Sequence, residues 1–252
     1  VSLTYLTVGH NKLTRLPEEI GSLRRLTYLG VVNNGLESLP AGIGQISTLQ
    51  MLSAQNNKLK SLPPEIGQLS ELQRMYLANN RLTELPAESA RLQKLQLVDL
   101  TENNFTSVPE VLGQITSLST LMLAKNQLTT VSTSSENVFR NLTSSLSTVY
   151  LRENRLTSVP SWIGDFSSIL NLDLSHNRLT ALPAEIGRLS EIRSFEAAQN
   201  MLTSVPAEFW NIRQMVFLNL QGNQLTSLPA QISNLSALFQ LQLGDNKLSS
   251  VP

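Results

Sequence analysis

Leu26-Thr27-Tyr28-Leu29-Gly30-Val31-Val32-Asn33-Asn34-Gly35-Leu36-Glu37-Ser38-Leu39-Pro40-Ala41-Gly42-Ile43-Gly44-Gln45-Ile46 is one turn of a pattern that fills the chain. Asn34 recurs at intervals of 23 residues as Asn11, Asn57, Asn80, Asn103 and Asn126. After one step of 28 residues the spacing resumes through Asn154, Asn177, Asn200, Asn223 and Asn246, giving eleven units. Of 11 prolines, only Pro64 lies outside the slot of Pro40; six of the 12 glycines (Gly21, Gly44, Gly67, Gly113, Gly164, Gly187) follow the Ile position of the frame. A repeat this regular decides the architecture before any single segment is read.

The Leu-x-Leu alternation has period two, so its apolar side chains enter one face while their neighbours leave by the other. One short strand per unit cannot bury its apolar row alone; stacked units form a parallel sheet and a continuous core. The recurrent Asn can donate to and accept from backbone groups at the turn leaving the strand. Pro then stops the strand and fixes φ for an extended or 3₁₀ return segment.

Leu-x-x-Leu-x-Leu-x-x-Asn-x-Leu resembles the leucine-rich repeat signature. The Leu-Pro-x-x-Ile-Gly-x-Leu that follows is similar to the 23-residue intracellular subclass of Scribble, Erbin and Ras-pathway scaffolds, and to Roco and plant Ras-group repeats. The resemblance implies an α/β repeat fold: a right-handed leucine-rich-repeat solenoid, or horseshoe, with a parallel β-sheet on its concave face and 3₁₀, extended or short helical convex segments. Residues 1–252 are expected to form one domain of about eleven repeats. Because the chain opens at strand residues with Val1 and stops within a unit at Val251-Pro252, a fragment lacking both caps is expected.

Departures from the frame are local. Ala54 and Ala197 replace a strand Leu, and Ser89-Ala90 replaces Ile-Gly, so these units are expected to pack less apolar volume. The 28-residue unit carries an insertion at residues 132–142, in the sixth repeat. Ser132 stands at the Pro slot, and Thr133-x-x-Glu136 has capping-box spacing ahead of Val138, Phe139 and Leu142. One or two turns of convex helix are expected there, as a neutral insertion on an outer loop.

Composition excludes several classes. Lys+Arg and Asp+Glu are both 19, without the basic excess that nucleic-acid binding requires, so no nucleic-acid partner is expected. No apolar run approaches the roughly 18 residues of a membrane span, and membrane insertion is not expected. Cysteine is absent, which removes disulfides, thiolate nucleophiles and Cys-based metal sites, and favours a cytoplasmic location. No phosphate-binding loop, zinc-protease helix or nucleophile elbow occurs. His10 and His176 occupy equivalent slots seven repeats apart, on the order of 30 Å along a sheet, too far to share a metal. No catalytic residue, metal or cofactor is expected. The best carboxylate pair, Asp173 and Glu196, is expected to be a solvated acidic patch on an open sheet rather than an acid–base pair.

Outward strand positions carry no packing duty, so they report on partners. All four tyrosines (Tyr5, Tyr28, Tyr76, Tyr150) fall in these columns. Tyr and Arg are enriched at interface hot spots, although strand propensity also favours Tyr. A central patch combines Arg74, Tyr76, Asp99, Met122, Tyr150, Arg152, Asp173 and Glu196; a second, with Tyr5, Tyr28 and Met51, lies near the N-terminal end. Glu102, Lys125 and Glu153 alternate in sign, which favours mutual neutralisation. The basic residues that follow the ladder Asn are offset by an acidic row after Pro and are expected to be solvated edges. Three Asn-x-Ser/Thr sequons, at Asn104, Asn141 and Asn234, match chance expectation in such a chain.

The expected function is a non-catalytic protein-interaction module of an intracellular signalling or scaffold protein, binding a folded partner across the concave sheet. Resemblance to Ras-pathway scaffolds implies a small GTPase or phosphatase subunit as the first partner class. The recognition arm of a larger enzyme, such as a Roco-type GTPase-kinase or an effector ubiquitin ligase, is an alternative; a receptor ectodomain is a third.

Overall fold

A computed structural model describes residues 2–129 and 133–252, without the side chains of 133–137. The chain divides into two compact units, Val1–Asn126 and Gln127–Pro252. The first carries strands β1 (Tyr5–Thr7), β2 (Tyr28–Gly30), β3 (Met51–Ser53), β4 (Arg74–Tyr76), β5 (Leu97–Asp99) and β6 (Thr120–Met122). The second carries a helix, α1 (Thr133–Leu142), and strands β7 (Thr148–Tyr150), β8 (Asn171–Asp173), β9 (Ser194–Glu196), β10 (Phe217–Asn219) and β11 (Gln240–Gln242). Within each unit consecutive strands pair in parallel and in register, so Tyr28 lies beside Met51 and Met51 beside Arg74, and Asp173 lies beside Glu196. This is the repeat solenoid expected from the period.

The middle residue of every strand from β2 to β10 points into the core. Leu29, Leu52, Met75, Val98 and Leu121 in the first unit, and Val149, Leu172, Phe195 and Leu218 in the second, are buried. Each Pro of the frame from Pro17 to Pro229 then opens a 3₁₀ segment, as at Ala41–Gln45 after Pro40 (φ −70°). The N–H of Ile43 donates to the Pro40 carbonyl at 3.1 Å, and Ile66 does the same to Pro63 at 3.0 Å. Pro loses nothing at this place, since its missing N–H would have had no partner in the first turn.

The ladder Asn binds successive repeats together. Asn57 Nδ2 donates to the carbonyls of Val31 (3.0 Å) and Ala54 (3.1 Å), and its Oδ1 accepts from the Leu36 N–H at 3.1 Å. Asn177 repeats this with Leu151, Leu174 and Leu156 at 3.0, 3.0 and 2.9 Å. An apolar residue there would orphan one amide and leave two carbonyls with only the Asn of the adjacent repeat as donor. The residue before the ladder Asn has φ between 52° and 67° in every unit, including His10, Asn33, His176, Gly222 and Asp245. Gly, Asn, Asp and His tolerate this left-handed region best, which gives the two histidines a conformational reason for their slot.

The glycines after Ile form a seam between 3₁₀ segments. A Cβ at Gly44 would meet the Glu65 carbonyl oxygen at 2.6 Å, and one at Gly187 would meet the Glu208 carbonyl group at 2.5 Å. Where Ala90 and Trp210 take this slot, Ala87–Arg91 and Ala207–Asn211 pack less extensively on the segment that follows. Ser89 lies fully buried in this loosened region, its Oγ without a protein hydrogen-bond partner. Around Ala197 the expected loss of apolar volume is made good by Phe195 and Phe209, whose rings meet edge to face at 5.1 Å.

The insertion is not a neutral loop. Helix α1 spans ten residues, longer than the one or two turns expected. It buries Val138, Phe139 and Leu142, and Phe139 stacks on Trp162 at 5.1 Å and meets Phe166 edge-on at 6.0 Å. The 3.6-residue period puts Val138, Phe139 and Leu142 on one face, and two bulky aromatics in the next 3₁₀ segment and the turn after it complete the contact. The space left among them is about 10 Å³ and lined only by apolar side chains, so it stays dry. Ser132, and the side chains of Thr133 and Glu136 on which the capping box rests, lie outside the described residues.

Candidate functional site

In the first unit the outward strand positions present Tyr5, Tyr28, Arg74, Tyr76, Asp99 and Met122. Tyr5 and Tyr28 stand side by side on adjacent strands with ring centroids 4.2 Å apart and planes within 8°. Tyr5 is 59% exposed, a large apolar area to leave in water. Gly30 makes this arrangement possible: a Cβ there would lie 2.9 Å from both the Cε1 and hydroxyl of Tyr28. Beyond Tyr28, a groove of about 190 Å³ is lined by Thr27, Tyr28, Gln50, Met51, Gln73 and Arg74. Arg74 is exposed, and no carboxylate of the described residues lies within ion-pairing distance of it. Gln50 and Gln73 sit one position before their strands, in a column that the repeat frame gives no reason to single out.

Tyr76 is half-buried, paired in register with Ser53 on one side and Asp99 on the other. Asp99 turns back on its own chain, its Oδ1 accepting from the Thr101 N–H at 3.0 Å. Met122, half-buried, lies beside Asp99 on β6. Lys125 and Glu102 neutralise each other at 3.1 Å, as expected from their alternation. Glu37 lies near Lys58 and Arg81 of the basic row, but its carboxyl is held below its usual pKa mainly by the 3.0 Å hydrogen bond and charge of Lys60, which lies outside that row.

In the second unit Tyr150, Asp173 and Glu196 lie in register on β7, β8 and β9. Tyr150 is half-buried, and exposed Arg152 pairs with Glu153 at 3.0 Å. The acidic pair departs from the expected solvated patch. Asp173 is only 6% exposed, and its Oδ1 accepts from the Ser175 N–H at 2.9 Å. Asn219 does the same for Gln221 at 3.1 Å, so one strand position repeatedly caps the turn after it. Burial pushes the Glu196 carboxyl above its usual range, the Asp173 charge adds to this, and Asn219 and Arg152 oppose it. The sheet therefore desolvates more than its open face suggests, because tall neighbouring side chains stand only about 4.8 Å away. Periodicity placed the residues but could not register how their neighbours cover them.

Among the described residues no group of three or more metal-ligating side chains is brought together. No helix among them is long and apolar enough to cross a membrane. His10 and His176 fall in separate units, each in the left-handed slot.

The geometry shared by these units is that of a known family. A profile described as leucine rich repeat matches residues 47–105, 70–128, 116–179 and 171–225, and a second matches residues 2–23. The chain belongs to the leucine-rich repeat family. Comparison with curated proteins finds no match. Among solved structures the chain is similar to a leucine-rich repeat protein of Leptospira interrogans, with 34% identity and TM-score 0.66, covering 99% of this chain and 74% of that one. It is also similar to the plant peptide hormone receptor RGFR1 in complex with RGF2, at 28% identity and TM-score 0.73, covering 98% of this chain and 44% of the receptor. A third likeness, at 25% identity and TM-score 0.73, is to the Arabidopsis receptor kinase HAESA in complex with the peptide hormone IDA and the co-receptor SERK1; it covers 98% of this chain and 47% of that one. The chain thus spans less than half the length of these two plant receptors. Leucine-rich repeats of this kind are protein-interaction modules, and the fold is typically a non-catalytic one.

Proposed function

We propose that the chain is a non-catalytic recognition module of an intracellular signalling or scaffold protein, working in the cytoplasm and holding a folded protein against the outward strand positions. One observation carries this reading. Tyr5, Tyr28, Arg74 and Tyr76 in one unit, and Tyr150 and Arg152 in the other, stand outside a core already completed by leucines and ladder asparagines. Aromatic and Arg side chains in that position are the residue types that dominate binding energy at interfaces. The Leu-Pro-x-x-Ile-Gly-x-Leu frame and the absence of cysteine support the intracellular setting, and the frame's resemblance makes a small GTPase or phosphatase subunit the first partner to try.

The test is quantitative capture from cell lysate by wild type and by two variants, Tyr76→Ala with Arg74→Glu in the first unit and Tyr150→Ala with Arg152→Glu in the second. Unchanged thermal melts establish that each variant folds. Proteins held by wild type and lost by a variant support the reading; an identical set for all three refutes it. Asp173 is left intact because it caps a turn.

A receptor ectodomain is favoured by the likeness to hormone-bound plant receptors and by the exposure of Asn104, Asn141 and Asn234. Glycan mass on these residues in native material decides for it. The recognition arm of a larger enzyme is favoured by the short span of this chain against those receptors; a catalytic domain in flanking sequence decides for that.

A further inference from the structure

We infer that the groove between Tyr28 and Arg74 is a subsite for a polyproline-II segment of a partner protein that carries an acidic side chain three residues from the proline seated against Tyr28. The inference rests on the proposed recognition role and names the chemistry of one part of the surface.

Three observations converge on it. The groove holds about 190 Å³, room for a few side chains of one narrow segment rather than a domain surface. Its one formal charge is Arg74, which has no described ion-pair partner; the remaining polar liners, Thr27, Gln50 and Gln73, are neutral. A guanidinium left open in this way is complementary to a carboxylate, which it engages through two parallel N–H donors. The wall opposite is aromatic: the Tyr28 ring stacks on Tyr5 at 4.2 Å and leans along its strand over Gly30.

Spacing selects the conformation of the occupant. Tyr28 and Arg74 occupy the same strand position two strands apart, about 9.6 Å at the usual separation of neighbouring strands. A polyproline-II helix presents the same face every three residues, or about 9.3 Å. An extended strand returns its face at about 6.7 or 13.4 Å and misses both anchors. An α-helix comes back near 10.5 Å, but its body is about 10 Å wide and does not enter a groove of this volume. A polyproline-II segment also arrives already ordered, so little entropy is lost when it docks on aromatic walls.

The test uses a fluorescein-labelled polyproline peptide with one central Glu, acetylated and amidated so that Glu is its only charge apart from the dye. Anisotropy is recorded against the whole chain, with Glu→Gln and Glu→Lys peptides and the dye alone as controls. Saturable binding of the Glu peptide is expected, weakened at least about tenfold by Arg74→Gln and by Tyr28→Ala, and only several-fold by Arg74→Lys. A helical peptide of matched charge is expected to bind more weakly than the Glu peptide. No saturable binding, binding indifferent to Arg74→Gln, or equal binding of the helical peptide overturns the inference. The wider recognition role is judged separately by the lysate capture with Tyr150→Ala and Arg152→Glu, in a unit the peptide does not touch. Loss of partners there with a silent peptide overturns the subsite alone.

Discussion

The Tyr28–Arg74 region of the first unit and the Asp173–Glu196 region of the second occupy the two outward positions of the same three-residue strand, the first and the third, and they hold their polar groups in opposite ways. Around Arg74 the cation is exposed and has no ion-pair partner among the described residues, and the neighbouring rings stack on each other rather than on the core. Around Asp173 the carboxylate is buried and spent on the Ser175 amide, and Glu196 is left beside it with a raised pKa. Position in the repeat says which face a side chain occupies. Whether it serves the fold or a partner depends on whether its own backbone has already engaged it.

Variants sharpen this contrast in order of expected effect. Asn177→Leu removes a side chain wholly committed to the backbone, orphaning the Leu156 amide and taking from the Leu151 and Leu174 carbonyls one of two donors each, since Asn154 and Asn200 still reach them. A loss of about 3 kcal/mol or more is expected, seen as a Tm lower by roughly 10 °C. Asp173→Leu, which frees the Ser175 amide, is expected to cost about 1–2 kcal/mol in the same melt, while Asp173→Asn keeps the cap and costs less. Equal melts for Leu and Asn would show that the cap contributes nothing.

Glu196→Gln acts in the other direction. Its folded pKa is raised, so the stability it contributes is fully present below the unfolded pKa and is lost as pH rises through the folded one. At neutral pH the Gln variant is therefore expected to melt higher than wild type, and the advantage is expected to vanish below about pH 4. A melt that is lower at neutral pH contradicts the account of burial and like charge. Smallest of all is Arg74→Gln, which touches no ion pair and is expected to change stability by less than about 0.5 kcal/mol. A larger loss in its melt would place Arg74 among the residues that serve the fold.

Most of the fold could be read in advance because its determinants recur. Asn57 and Asn177 make the same three kinds of bond, and Pro40 and Pro63 open the same 3₁₀ turn. The left-handed slot was harder, since His10, Asn33 and Asp245 announce it but Glu102, Lys125 and Gln199 conceal it. What escaped was anything settled between repeats. The burial of Asp173 depends on the height of side chains on neighbouring strands, and the docking of α1 on Trp162 and Phe166 depends on aromatics some 20 residues further along. The stacked tyrosines were legible as a pair of outward residues, but the groove beside them was not, because Gln50 and Gln73 belong to a different column.

The central claim is that partners sit on the outward strand positions and not on the 3₁₀ side. A photo-crosslinking amino acid placed at Tyr76 or Tyr150, and in parallel at Glu88 or Glu208 on the 3₁₀ segments, tests it directly in native lysate. The account predicts specific crosslinked partners from positions 76 and 150 and none from 88 and 208. Crosslinks confined to 88 and 208 would contradict it.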